Sequence, residues 1–379
     1  MKRLLLQRLM AALLAAFAVF AVFDTALAET KGEEPIIDAA GAVLMDGTTN
    51  KVLYAKTAHE KLPMASTTKI MTAILAIEHG NLDSTVNVPK EAFGTEGSSM
   101  YLRLNEKLSL RDLLYGLMLL SGNDAAVAIA IHIGGSIERF ASMMNEKAKE
   151  IGANNTNFVT PNGLHDDAHY TTAYDLALIA AHAMRNDTFR EIVSTTYYRA
   201  ETGEVIRTFK NKNRLLWEYE GGNGIKTGYT SVAGKCLVFS AERDGTKLIG
   251  VVLKCPQMFD AAKALLDYGF GAFSKVKLIS SGDSVARVRV EGAKKSTLAL
   301  CVKEDIMILL KNGDTKTLRT RVRVDAPLIA PVDAATPVGM LEIREDGRLL
   351  CQSALYPVEN VESAAFSDHL ERLFKRWCV

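Results

Sequence analysis

The sequence of 379 residues predicts an α/β (α+β) fold in three parts: a mixed domain of helices and strands, a small all-β domain, and a C-terminal amphipathic helix. Between residues 66 and 184, apolar residues recur at helical spacing, and after residue 210 short apolar runs bounded by turn residues indicate strands. From about Lys275 to Asn360, Val, Leu, Lys and Arg stand at alternating positions, as in half-buried strands. The predicted domains therefore span residues 29–273 and 274–360.

Residues 1–28 are predicted to be a Sec-type signal peptide. The first eight residues carry three basic side chains, an apolar run follows from Leu9 to Phe23, and Ala26-Leu27-Ala28 provides small residues for cleavage before Glu29. The alternative is an uncleaved anchor, but the apolar run is shorter than the ~20 residues that a spanning helix needs. An exported protein is therefore expected.

The mature chain is predicted to begin with a β-hairpin and a buried helix. Val43–Met45 and Val52–Ala55 flank Asp46-Gly47, which is a strong turn signal. A helix is predicted from Ser66; it is apolar on most sides, which indicates burial, and Gly80 stands where it should end.

The remaining elements of the first domain follow from capping and periodicity. Ser109-Leu110-Arg111-Asp112 resembles a capping box that opens an apolar helix through Leu120. Further helices are predicted at 125–132, 137–151, 172–184 and 259–268, and strands at 224–230, 236–241 and 248–254.

Residues 361–379 are predicted to form an amphipathic helix. Charged residues occupy one side, and the other side is apolar and carries Phe366, Leu370, Leu373, Phe374 and Trp377. This segment is too short and too charged to span a bilayer. It either lies in the membrane interface or packs on the β domain.

Charge and cysteine content exclude several classes of protein. Residues 1–28 carry three basic residues and Asp24, a net +2, so the whole-chain charge of +1 leaves the mature chain near −1; a nucleic-acid partner is not expected. The five cysteines match no zinc spacing. Cys236 and Cys255 flank a predicted hairpin, where they are either bonded diagonally or buried as thiols.

A metal site at the histidines is not expected. His165 and His169 bracket Asp166-Asp167, but this segment is predicted to be a loop with no clear third ligand nearby. Neither a metal nor another cofactor is predicted.

The motif Ser66-Thr67-Thr68-Lys69 has the form S-x-x-K at a predicted helix start. One helical turn places Lys69 on the same face as Ser66. A serine hydroxyl needs an adjacent base, and lysine can be that base where burial or positive charge lowers its pKa. The alternative is a capping serine with a solvated lysine. A second match, Ser274-Lys275-Val276-Lys277, is interpreted as chance.

The motif Ser121-Gly122-Asn123 has the form S-x-N, in a predicted turn between two apolar helices. Its hydroxyl could pass a proton to a leaving amine, and its amide could orient the lysine and the substrate. Because these are also ordinary turn residues, a plain helix–helix turn is the alternative.

The motif Lys226-Thr227-Gly228 stands in a predicted strand. Glycine in a strand allows close approach of a ligand backbone, and the lysine and threonine suit a free carboxylate. The alternative is an ordinary edge strand.

In this order the three motifs are the signature of active-site-serine enzymes that react with penicillin. The chain resembles the D-alanyl-D-alanine carboxypeptidases among the low-molecular-mass penicillin-binding proteins. The likeness covers roughly residues 35–270, including Pro161-Asn162-Gly163-Leu164 and Asp267-Tyr268-Gly269-Phe270, and continues more weakly to the C-terminus. The implied fold is a β-lactamase/penicillin-binding transpeptidase-like domain, in which an antiparallel sheet is flanked by helices and the active site lies against a helical lobe.

The resemblance also implies the substrates and the residue roles. The implied substrate is a peptidoglycan stem peptide ending in D-Ala-D-Ala, the implied inhibitors are β-lactams, and the terminal helix implies a membrane surface. The backbone N–H groups of Ser66 and Tyr229 would hold the oxyanion. The catalytic residues are expected to be Ser66, Lys69 and Ser121, and the substrate-binding residues Asn123, Lys226, Thr227, Gly228 and Tyr229.

One feature departs from the family. Relatives often carry an arginine near the carboxylate site, shortly after the strand that is predicted to end here at Lys254. This chain has Cys255-Pro256-Gln257-Met258-Phe259 and is shorter there. Either Lys254 or another cation substitutes, or the substrate carboxylate is bound more weakly.

Two other functions compete with this interpretation. A class A-like β-lactamase uses the same motifs but needs a glutamate for deacylation, and the corresponding stretch, Asn154–Thr160, contains no acid. A non-catalytic peptidoglycan-binding protein would not need the pair of Ser66 and Lys69. Labelling by a fluorescent penicillin distinguishes that binder from the enzyme.

Overall fold

The computed structural model describes residues 33–311, 314–315, 317–324 and 327–365. The predicted signal peptide and the apolar residues of the predicted terminal helix lie outside this described part. Within it, no helix is long and apolar enough to cross a membrane.

A five-stranded antiparallel sheet lies at the centre of the first domain. Alternate residues of its strands face two different apolar layers, as the two-residue period of a strand requires: Val43 and Met45 face one layer, and Ala42 and Leu44 face the other. The strands, numbered in chain order, lie side by side as β2 (Val52–Lys56), β1 (Gly41–Asp46), β9 (Thr246–Leu253), β8 (Gly234–Arg243) and β7 (Gly222–Thr230).

Helices cover both faces of this sheet. A 3₁₀ turn, Ala65–Thr68, leads into the first and most central helix. The layer that contains Val43 includes α1 (Lys69–His79), α2 (Leu110–Tyr115), α3 (Asn123–Gly134), α4 (Ile137–Ile151), α5 (Ala173–Ala183) and α6 (Asp187–Ser194). The opposite layer includes α7 (Leu215–Glu218) and α8 (Met258–Ala272).

The helices that were predicted in the first domain are present, with local differences at their ends. The Ser109 side chain accepts the Asp112 N–H and caps α2, as its capping motif predicted. The α-helix is shorter than expected, because Gly116–Leu120 continue as a π-helical turn and Ser121 adopts a left-handed conformation. Such turns are frequent at functional sites, and this one places the S-x-N motif beside the first helix.

Two small ribbons were not predicted from the sequence. They are β3 (Thr85–Asn87) with β4 (Lys107–Ser109), and β5 (Tyr197–Ala200) with β6 (Arg207–Lys210). Three or four residues are too few for a reliable alternation signal, so these pairings depend on tertiary contacts.

The second domain is all-β, as its alternating sequence predicted. A two-stranded ribbon, β10 (Phe273–Ile279) with β13 (Ile306–Lys311), packs into the same apolar core as a six-stranded sheet. The strands of that sheet lie in the order β14 (Leu318–Val324), β16 (Gly339–Glu345), β17 (Arg348–Pro357), β12 (Thr297–Cys301), β11 (Ser284–Glu291) and β15 (Leu328–Ile329).

The structure distinguishes the two alternatives for Cys236 and Cys255, a disulfide bond or two buried thiols. Cys236 and Cys255 are both buried free thiols, and they belong to apolar layers on opposite faces of the sheet. Burial raises the pKa of the Cys236 thiol to about 11. These cysteines therefore act as small apolar residues.

Candidate active site

The S-x-x-K motif lies in the 3₁₀ turn and the first residue of α1. Lys69 Nζ lies 2.9 Å from Ser66 Oγ. The same ammonium also donates to Asn123 Oδ1 at 2.7 Å and to the Asn162 carbonyl oxygen at 2.6 Å. The motif pair predicted from the sequence is thus in direct contact, and the second motif contacts the same lysine.

The electrostatic environment favours the neutral form of Lys69. Its side chain is fully buried, and burial is the main cause of a pKa well below the usual value of 10.5, with a further decrease from the positive charges of Lys226 and Lys212. A neutral amine has a free lone pair and can accept the serine proton.

The S-x-N segment is fixed by a loop that precedes α2. Asn123 N–H donates to the Ser98 carbonyl oxygen at 2.7 Å, and Asn123 Nδ2 donates to the Glu96 carbonyl oxygen at 2.6 Å. Buried Asp124, the next residue, accepts hydrogen bonds from Ser99 Oγ and from the N–H groups of Met100 and Leu102. The loop and the motif therefore hold each other in place.

A buried ion pair anchors the far end of this loop. Arg207 of β6 binds both carboxylate oxygens of Glu106, at 2.7 and 2.8 Å, and its guanidinium also donates to the Met100 and Tyr101 carbonyl oxygens. Neither residue stood out in the sequence, because only the fold brings positions 106 and 207 together.

The K-T-G motif lies on β7, the edge strand of the central sheet. A Cβ atom added at Gly228 would lie 3.1 Å from Ser66 N and 3.2 Å from both Met64 O and Thr67 N. Glycine therefore lets the strand pass directly against the start of the Ser66 turn. Tyr229 follows with its side chain exposed.

The side chain of Lys226 is buried. It donates to the Thr227 carbonyl oxygen at 2.9 Å. Burial, with a smaller effect from Lys212, lowers the pKa of Lys226 to about 7. This ammonium is therefore poised to gain or lose its proton near neutral pH.

The segment Pro161-Asn162-Gly163-Leu164 packs against the turn that carries Ser66. A Cβ atom added at Gly163 would lie 1.9 Å from the Ala65 carbonyl oxygen, and the φ of Gly163 is +83°. Ala65 itself has a φ of +50°. Only glycine fits this close approach, which positions both Asn162 and the residue before Ser66.

His169 stabilises the same region as a neutral imidazole. Its Nε2 lies 2.8 Å from Thr68 Oγ1, and its Nδ1 accepts the Val159 N–H at 3.0 Å. Burial lowers its pKa to about 4. Both ring nitrogens are thus occupied, and the described residues contain no cluster of three His, Cys, Asp or Glu side chains that could hold a metal.

The second S-x-x-K match lies in β10. Residues three apart on a strand point to opposite faces, so Ser274 and Lys277 cannot form a nucleophile–base pair there.

An open cleft of about 420 Å³ joins the three motifs. It contains four lining residues that sequence reasoning did not identify as site residues: Ser98, Lys212, Lys235 and Met258. Lys212 Nζ lies 3.3 Å from Ser98 Oγ at one end of the cleft. Lys235 lies on β8 opposite Tyr229 and donates to the Pro256 carbonyl oxygen at 3.1 Å.

Residues 28–257 match the protein family described as D-alanyl-D-alanine carboxypeptidase, and residues 273–363 match the C-terminal domain of penicillin-binding protein 5. The chain belongs to the D-alanyl-D-alanine carboxypeptidase family. The predicted family, the class of enzyme and the mixed α/β fold with an all-β second domain are therefore confirmed.

Curated relatives of this carboxypeptidase match along nearly their whole length. D-alanyl-D-alanine carboxypeptidase DacF of Bacillus subtilis is 34% identical, over 100% of this chain and 99% of the relative. DacC of Escherichia coli is 35% identical over 92% of each chain. The crystal structure of penicillin-binding protein 5 from Haemophilus influenzae has a TM-score of 0.72 and 32% identity, and the match covers 87% of this chain and 99% of that one.

The buried ammonium of Lys226 predicts a measurable pH dependence of stability. Because its pKa is 10.5 when exposed and about 7 in the fold, the unfolded chain binds more protons between these values. The free energy of unfolding should therefore rise with pH across this window. Lys226→Met should remove the contribution of this residue to that rise, while the contribution of buried Lys69 remains, and should stabilise the protein at pH 7 by up to a few kcal/mol.

Urea denaturation of both proteins at pH 7 and pH 9 measures this effect. The difference in stability between variant and wild type should shrink as the pH rises. A difference that is independent of pH would show that Lys226 stays charged in the fold.

Proposed function

We propose that this carboxypeptidase removes the terminal D-alanine from peptidoglycan stem pentapeptides through an acyl-enzyme on Ser66. The observation that carries the proposal is the 2.9 Å contact between Ser66 Oγ and the buried Lys69 Nζ. An unpaired lysine in water would be protonated at neutral pH and could not serve as a base.

The first half-reaction forms the ester. Lys69 takes the Ser66 hydroxyl proton as Oγ bonds to the carbonyl carbon of the penultimate D-alanine. The oxyanion accepts hydrogen bonds from the backbone N–H groups of Ser66 and Tyr229. The C–N bond then breaks, and the leaving amine of D-alanine receives its proton through Ser121.

The second half-reaction releases the shortened peptide. Water attacks the ester carbonyl, its proton passes to the Lys69 amine, and the Ser66 oxygen leaves as the hydroxyl. Asn123 orients Lys69 throughout, because its side chain is held by the Glu96 carbonyl oxygen on one side and contacts Nζ on the other.

Substrate binding follows from the edge position of β7. An extended peptide can pair with the free edge of a sheet, and Gly228 keeps that edge close to Ser66. Thr227 and Lys226 at the start of this edge hold the terminal carboxylate.

Lys235 completes the carboxylate site in place of the arginine that relatives often carry. It lines the cleft together with Thr227. Its ammonium donates a hydrogen bond to the carbonyl oxygen of Pro256, a residue of the shortened segment. Lys254 is not one of the residues that line the cleft; its Cγ lies 3.2 Å from the position of a Cβ atom added at Gly234.

Lys235→Met should raise KM for a peptide with a free C-terminal carboxylate by about 10- to 100-fold, since a hydrogen bond to a charged group contributes about 1.5–3 kcal/mol. The turnover number should change much less. Lys254→Met is the matched control and should leave KM unchanged. The measurement is the steady-state KM of both variants for a stem pentapeptide. Equal changes in KM for the two variants would contradict the proposal that Lys235 binds the substrate carboxylate.

Release of D-alanine is the test of the reaction itself. The wild-type protein should release D-alanine from a stem pentapeptide and turn over nitrocefin only slowly, because residues 154–160 contain no acid for rapid deacylation. Fast nitrocefin hydrolysis with intact pentapeptide would establish the β-lactamase alternative. Absence of both activities with reversible peptide binding would establish the non-catalytic binder.

The location of the enzyme is the last part of the proposal. The signal peptide directs export and is cleaved after Ala28, and the two domains divide near residue 273. The predicted helix was expected to begin at residue 361, but Val361 is buried in the β domain and pairs with Val332, and Ser363 pairs with Ala293. We therefore assign the contact with the outer surface of the cytoplasmic membrane to the residues that follow. Their apolar and charged faces support this. Deletion of residues 363–379 should retain D-alanine release and move the protein to the soluble fraction; a misfolded product would assign the helix to the β domain.

A further inference from the structure

One face of the six-stranded sheet in the β domain concentrates arginine. The sequence from 273 to 365 contains seven arginines. Strand register places six of them on a single face: Arg287, Arg289, Arg319, Arg321, Arg323 and Arg344. We call this surface the arginine face.

The register shows that these residues share a side. On β14, alternate residues carry arginine, and Arg319 stands directly opposite Arg344 of β16. Arg287 and Arg289 of β11 stand opposite Ala299 and Thr297 of β12. Directly opposite residues lie on the same face of a sheet, and β17 links the two halves through the pairing of Tyr356 with Cys301.

The other side of the sheet is the core of the β domain. Leu341, Ile343 and Leu355 alternate with the outward residues and are buried, as are Leu298 and Leu300. The arginine face is therefore the outer surface of the sheet and is not part of the domain core.

Exposed aliphatic side chains lie on the same face. Leu349 stands opposite Arg344, and Ile329 stands opposite Glu291, two residues after Arg289. Val358 follows Tyr356 by two residues. Their exposed fractions are 39%, 66% and 51%, so apolar groups and guanidinium groups share one surface.

The face carries a net positive charge. Glu342 lies under Arg323 and Arg344, at 3.5 and 3.0 Å, and Glu291 lies at the edge of β11. The arginines of the face outnumber these two carboxylates, so the described part of the face is positively charged, although the mature chain as a whole is near −1. Lys303, with Nζ 4.0 Å from the Tyr356 ring, adds to it.

We propose that the arginine face docks the β domain on an anionic phospholipid bilayer. Guanidinium groups bind phosphate with two parallel hydrogen bonds, and the exposed aliphatic residues enter the interface between headgroups and acyl chains. This proposal is independent of the active-site assignments, and the contact of the arginine face adds to the membrane contact proposed for the terminal segment.

The charges are spread across the sheet. The arginines lie on β11, on β14 and on its neighbour β16, and β14 and β11 are separated by three strands in the sheet order. Together with the exposed aliphatic residues they offer an extended surface, and an anionic bilayer supplies both phosphate groups and an apolar interface. Ser363 pairs with Ala293, just after β11, so the last described residues lie next to the strand that carries Arg287 and Arg289.

Vesicle binding by the full mature chain tests the proposal. The probes are vesicles of phosphatidylcholine alone and of phosphatidylcholine mixed with phosphatidylglycerol, at low and at high salt. The test variant is Arg287→Gln/Arg289→Gln/Arg321→Gln. The control is Lys90→Gln/Arg139→Gln/Lys149→Gln, which removes the same charge from exposed positions of the first domain.

The wild-type protein should bind the anionic vesicles, bind pure phosphatidylcholine weakly, and dissociate in high salt. The arginine variant should lose binding roughly 100-fold, because each basic residue near an anionic surface contributes about fivefold. The control should bind within about twofold of wild type if only the arginine face docks. Unchanged melting temperature and D-alanine release on soluble peptide would show that the arginine variant is folded.

Three outcomes would overturn the proposal. The arginine variant binds as wild type, which assigns membrane contact to the terminal residues. In the second outcome, the control variant loses as much vesicle binding as the arginine variant, which would show that the net charge of the protein causes binding. The wild-type protein binds soluble polyphosphate as tightly as vesicles, which makes a polymer the ligand.

Discussion

Lys69→Met is expected to slow acylation of Ser66 by a factor on the order of 10⁴ or more. The methionine side chain is similar in size and apolar, so it fits the buried position but cannot accept a proton. Within the described residues Lys69 Nζ is the hydrogen-bond partner of Ser66 Oγ, so this substitution removes the group that accepts the serine proton. The measurement is the rate of penicilloyl adduct formation, followed by intact mass.

Two controls accompany this variant. Lys254→Met carries the same substitution outside the cleft and should acylate at the wild-type rate. Thermal unfolding of Lys69→Met should show a folded protein. A folded variant that still acylates quickly would mean that another group takes the serine proton.

Gly228→Val is expected to reduce acylation by roughly 10² to 10³, the cost of losing one oxyanion donor. A Cβ atom at this position would lie 3.1 Å from Ser66 N and 3.2 Å from two other backbone atoms of the same turn. Backbone atoms cannot rotate away, so the strand must shift outward. The N–H group of Tyr229 then moves away from the oxyanion.

Tyr229→Val is the matched control on the next residue. The Tyr229 side chain is exposed and the proposed contribution is its N–H group, so this variant should keep most of its activity. Similar losses in both variants would assign the role to the tyrosine side chain.

Residues that are close in sequence were predicted well. The pair of Ser66 and Lys69 is one helical turn apart, and Ser109 caps α2 through the Asp112 N–H three residues on. In each case the two residues are three positions apart, so local backbone geometry alone brings them together. The order of the three motifs then identified the family.

Residues outside the three motifs that are joined to the site only by tertiary structure were not assigned a role from the sequence. The carbonyl oxygen of Asn162 reaches Lys69 Nζ over 93 positions, and Arg207 reaches Glu106 over 101. Lys212 and Lys235 enter the cleft because a loop and a neighbouring strand bring them there. No local pattern marks such residues, since their type is ordinary for an exposed turn or strand.

The arginine face illustrates the same limit in the second domain. The alternation of arginine in β11 and β14 was visible in the sequence and predicted strands. Whether the two strands present arginine on one face depends on the register of the three strands that lie between them. Only the pairing of β16 with β17 and of β17 with β12 determines that.

Mapping of the penicilloyl ester tests the central claim most directly. After treatment with penicillin, intact mass should show one adduct on the wild-type protein, and peptide mapping should place it on Ser66. Ser66→Ala should show no adduct while keeping its fold. An adduct on Ser274, an adduct that persists in Ser66→Ala, or no adduct on the folded wild-type protein would contradict the assignment of Ser66 as the nucleophile.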